Sequence, residues 1–75
     1  GMLFADAGED LRALSYLERA VDARPDYAVA RFRLGIALFR LGRADDAEAE
    51  LRRALELDAS LDGARGALAQ LGAQP

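Results

Sequence analysis

The stretch Leu34–Gly42 reads LGIALFRLG, and its two glycines decide the fold. Glycine costs a helix about 1 kcal/mol relative to alanine, so each needs a physical reason. Gly42 closes the run, where a residue that accepts the left-handed backbone ends a helix. Gly35 lies between Leu34 and Ile36, inside an apolar run. A glycine there lets a second backbone come close.

Sliding the chain by 34 residues shows what the second backbone belongs to. Gly8 falls on Gly42, Ala13 on Ala47, Leu17 on Leu51 and Ala20 on Ala54. Arg19 falls on Arg53 and Val21 on Leu55, while Ala30, Arg31 and Leu34 fall on Ala64, Arg65 and Leu68. No insertion is needed. Ala47, Leu51, Ala54 and Leu55 recur at helical spacing, and Ala13, Leu17, Ala20 and Val21 repeat that face. Glu9 and Asp10, like Asp45 and Asp46, are placed in a first turn, where carboxylates complement the helix dipole. Glu48 four residues before Arg52 adds a favourable pair. Asp26 and Ser60 are expected N-caps. The spacing predicts helices near 9–23, 27–41, 45–57 and 61–71, with a short helical stub over 2–7 that ends in a turn at Gly8. The unit is helix, turn, helix.

These residues make the chain resemble the tetratricopeptide repeat family, whose 34-residue unit carries W-x₂-L-G-x₂-Y, then A-x₃-F, then proline. The first part stands here as Arg31-x₂-Leu34-Gly35-x₂-Leu38 and the second as Ala47-x₃-Leu51; Ala13-x₃-Leu17 precedes Pro25. Arg31 replaces the tryptophan, Leu38 the tyrosine, Leu51 the phenylalanine and Ala59 the closing proline. The resemblance implies an all-α fold, with helix-turn-helix tetratricopeptide repeats forming a short right-handed α-solenoid. Residues 1–25 are then a partial repeat, with a truncated first helix and a whole second one. Residues 26–61 are a complete repeat, and 62–75 a capping helix and tail. Gly35 lies where the two helices of one unit approach each other in that family.

Composition removes several classes of activity. Histidine and cysteine are absent, so neither thiolate nor imidazole can bind zinc or act as a nucleophile. Neither catalytic residues nor cofactors are expected, and Asp45 with Asp46 suits a first-turn role better than a metal site. A net charge of −3 argues against nucleic-acid binding. No apolar run approaches the roughly 20 residues of a membrane span, and no signal peptide is visible, so a cytoplasmic chain is expected. All ten basic residues are arginine, a bias of GC-rich bacterial genomes.

The first helix of the complete unit has two apolar sides at about 100° per residue. Ala30, Leu34, Ala37, Leu38 and Leu41 form one, suited to the unit's own second helix. Val29, Phe32, Ile36 and Phe39 form the other, with Arg33 and Arg40 among them. In the family that second side lines the concave groove where partner peptides bind, so the resemblance implies a protein-interaction module with an arginine-flanked groove. Packing of Phe32 and Phe39 on an adjacent unit is the other reading. The lysine, asparagine and arginine clamp of chaperone-binding members is not matched, because Phe32, Ile36, Gly63 and Ala67 stand at those places and only Arg33 is polar. The alternative function is a self-assembling structural module or a fragment of a longer solenoid. About three units are normally needed for stability, and here there are roughly two. A homodimer or higher oligomer is therefore expected, with Met2, Leu3 and Phe4 in its interface.

Overall fold

A computed structural model describes residues 6–73. Four α-helices follow one another: α1 Asp6–Ala23, α2 Ala28–Arg40, α3 Ala44–Leu57 and α4 Asp62–Ala73. No strand occurs among the described residues. Helix α2 packs on α1, on α3 and, more lightly, on α4, while α4 also rests on α3. The last three helices begin and end within two residues of their expected bounds.

The α2–α3 hairpin is held by its two glycines in different ways. Gly42 takes φ +82°, and the amides beyond the helix fold back: Gly42 N–H donates to Phe39 O (3.0 Å) and Arg43 N–H to Leu38 O (2.8 Å). This pair of bonds satisfies carbonyls that the end of α2 would otherwise leave open. Gly35 is buried, and a Cβ built there would lie 2.7 Å from Leu51 Cγ and 3.3 Å from the Ala47 carbonyl oxygen. The second backbone is that of α3. Ala47, Leu51 and Ala54 are wholly enclosed at 0 % exposure, with Ala30, Leu34, Ala37 and Leu38 opposite them in the core. Leu14 and Val21 of α1 and Ala64 of α4 complete the buried hydrophobic set.

The repeat also holds in the turns. Tyr27 N–H donates to Arg24 O, and Leu61 N–H to Asp58 O, 34 residues later. Arg31 Nε donates to Pro25 O at 2.8 Å, and Arg65 donates through its terminal nitrogen to Ala59 O at 2.7 Å. Arg31 also meets Glu50 of α3 at 3.0 Å. The arginine at the tryptophan position therefore ties the inter-unit turn to the helix that follows.

Three expectations are corrected. Gly8 does not form a turn: α1 runs through it from Asp6. Glycine permits a left-handed turn without requiring one, and a helix continues wherever its hydrogen bonds do. Met2–Ala5, the rest of the expected stub, lie outside the described residues. Asp10 is consequently not at a first turn; its carboxylate meets Arg40 at 3.7 Å. The N-caps differ too. Tyr27 occupies the cap of α2 without a side-chain bond, so Asp26 does not cap it. Ser60 bonds to Asp58 Oδ1 through both its amide (3.0 Å) and its hydroxyl. Local side-chain bonds of this kind compete with capping. The expected Glu48–Arg52 pair is present, and Asp46 in the first turn of α3 receives Arg43 at 2.9 Å.

Gly35→Ala is expected to lower stability by about 1–3 kcal/mol, since Leu51 must move. Gly66→Ala, with open space around it, should raise stability by up to about 1 kcal/mol. Urea titration of both variants checks this. The two hydrogen bonds from Ser60 hold the Asp58 carboxyl below its ordinary value. A lowered folded-state value contributes stability above the unfolded pKa, and that contribution is lost as pH falls through the folded one. Wild type and Ser60→Ala should therefore differ in melting temperature at neutral pH and converge in acid.

Candidate interaction groove

The expected face of α2 opens on one flank and closes on the other. Phe32, Arg33, Ile36 and Arg40 line an open groove of about 480 Å³. Val29 lines a smaller hollow of about 220 Å³ that shares Arg33, Tyr16 and Leu17 with the first. Phe39 is half-buried, as Phe32 is. It packs against the core cluster, as Leu41 and Leu71 do. Of the two rings, Phe32 borders the groove and Phe39 packs against the core cluster.

Phe32 has two neighbours at once. Its ring borders the groove, and its tip lies 2.8 Å from where a Cβ on Gly63 of α4 would stand. Packing on the adjacent unit and lining a groove are thus both true of this side chain. Gly63 is the notch that admits the ring.

The opposite wall comes from α1: Asp10, Ala13, Tyr16 and Leu17, with Ala20 in the smaller hollow. These residues are not among those expected in the groove. The repeat held a signal for them, because Ala13, Leu17 and Ala20 copy Ala47, Leu51 and Ala54. Those three are sealed beneath α2, whereas the α1 copies are only half-buried. Tyr16 is 71 % exposed at the groove edge.

The groove's charge is set by two guanidinium groups and one carboxylate. Arg40 shares Asp10 at 3.7 Å, and its side chain remains 66 % exposed. Arg33 is exposed and has no ion-pair partner among the described residues. Such a group can fork onto a carboxylate with two parallel hydrogen bonds. No group of three or more acidic, histidine or cysteine side chains that could hold a metal occurs among the described residues. Met2, Leu3 and Phe4, the expected self-association segment, lie outside the described residues.

Repeated antiparallel helix pairs, joined by tight turns and flanking a groove, define a helical-repeat protein. A family model for the tetratricopeptide repeat matches residues 5–71, and the chain belongs to that family. No curated protein and no solved structure matches it. Domains of this family generally bind proteins or peptides and are generally not catalytic. No helix among the described residues is long and apolar enough to cross a membrane.

The same repeat position is buried to different degrees on α1 and α3, and this has a measurable effect. Leu51→Ala should cost about 2–5 kcal/mol, as for a sealed core leucine. Leu17→Ala should cost clearly less, because part of that side chain already meets water. Chemical denaturation of the two variants provides the comparison.

Proposed function

We propose that the chain is a protein-interaction module whose groove between α1 and α2 receives an apolar, carboxylate-bearing segment of a partner protein. The observation that carries this reading is Arg33, an exposed guanidinium without an ion-pair partner among the described residues, beside the apolar floor of Phe32, Ile36 and Leu17. Apolar contact supplies the area, and the arginines set register and sign. Arg33 is the free contact, while Arg40 is already partly engaged by Asp10. A partner carboxylate near Arg40 would compete with or bridge that pair.

The test uses two short peptides of matched length, one of leucine and glutamate and one of leucine and lysine. The wild-type chain is expected to prefer the acidic peptide. Arg33→Glu should weaken that binding by about tenfold, the scale of one charge-assisted contact. Phe32→Ala should weaken it for both peptides. Equal binding of the two peptides, or no effect of Arg33→Glu, would overturn the reading. Light scattering in the same buffer tests the self-assembly alternative: a dimer dispersed by Phe32→Ala would show that the groove serves a second copy.

A further inference from the structure

Building on the groove reading above, we propose that the occupant of the α1 wall is a helix from a partner. It is seated as α2 is seated on α3, with a glycine where it crosses Leu17 and carboxylates toward Arg33 and Arg40. The chain contains the template for this contact. On α3, Ala47, Leu51 and Ala54 hold α2, and Leu51 fills the notch at Gly35. On α1, Ala13, Leu17 and Ala20 stand at identical spacing and open onto the two adjoining hollows. Ala13 to Ala20 spans about 10 Å of helix axis.

The groove's walls also select a helix over an extended chain. Both walls are helical, so their backbone groups are already paired and no strand edge is offered. A helix brings its backbone groups already paired, so it can lay a side-chain face on the α1 wall without drawing on backbone partners there. Leu17 then sets the sequence requirement. A side chain opposite it would collide as a Cβ at position 35 would with Leu51.

A second copy of this chain meets that requirement poorly. Its α4 carries Ala69 where α2 has Gly35, so its methyl group would face Leu17. Its α2 is already held between α1 and α3. The fitting partner presents leucine-glycine, then an apolar residue three places on, as Leu34, Gly35 and Leu38 do here. Tyr16 stands where α3 has Glu50, the partner of Arg31. A basic residue at the Arg31 place of the incoming helix would lie over that ring, as Arg24 lies 4.9 Å from the Tyr27 ring centroid.

The test uses the full 75-residue chain, isotopically labelled, and a peptide covering residues 26–43 in which Phe32→Glu and Phe39→Glu supply the carboxylates, because position 32 is the one that α2 turns toward the next unit at Gly63. Saturable shifts are expected at the amides of Ala13, Tyr16, Leu17 and Ala20. A peptide also carrying Gly35→Leu should bind at least about tenfold more weakly, and so should one carrying Ala37→Pro, which cannot form the helix. Three results of the peptide titrations overturn the inference: no shifts on α1, no loss with Gly35→Leu, or no loss with Ala37→Pro. If the leucine–glutamate peptide of the preceding test still binds at Phe32 and Arg33 in any of those cases, the groove reading survives alone. If it fails as well, both fall. A dimer of the free chain that protects Leu17 from exchange overturns the inference in favour of a second copy.

Discussion

The contact of Leu51 with the bare backbone at Gly35 is the constraint on which the hairpin depends. It sets how closely α2 and α3 approach, and that distance seals Ala47 and Ala54 on either side. Enclosing small residues in this way gains dispersion contacts that wider helix spacing would lose. The cost is one glycine inside a helix. A leucine buried to 0 % offsets it, since full burial of such a side chain contributes about 1.5–3 kcal/mol.

The arginine at the first signature position changes how the units are joined. A tryptophan there would contribute mainly by packing, with a single indole N–H to donate. Arg31 instead spreads its donors over two partners, the Pro25 carbonyl and the Glu50 carboxylate, while its stem lies along the helix pair. Arg65 repeats the first of these bonds on the Ala59 carbonyl, and its second goes to Asp62 within its own helix. The turn geometry is therefore held by hydrogen bonds in both units, although only one of them carries a proline.

The hairpin was legible because it is local. Gly42, the leucine side of α2 and the alanine-leucine face of α3 each follow from spacing within a few turns, and the 34-residue register extends them along the chain. What sequence pattern could not convey was how much of each face its neighbours cover. Phe32 and Phe39 are equivalent on a helical wheel, yet one borders open space and the other packs inward with Leu41 and Leu71. Leu17 and Leu51 are equivalent in the repeat, yet only one is sealed. Gly8 and Gly42 share a register position and differ in backbone, because α1 runs straight through the first. Ser60 has the position of a cap, but its hydroxyl has a nearer carboxylate in Asp58.

Helix α2 touches all three other helices, and its outer side is also a wall of the groove. Folding and the proposed recognition thus draw on one element with two faces. A ligand that binds only the folded chain stabilises it in proportion to the logarithm of its concentration above the dissociation constant. Here that stabilisation enters through the helix on which every other helix leans. The domain has few layers in which to absorb such a change locally, so a ligand in the proposed groove would act on the core, and the melting transition would itself report its binding.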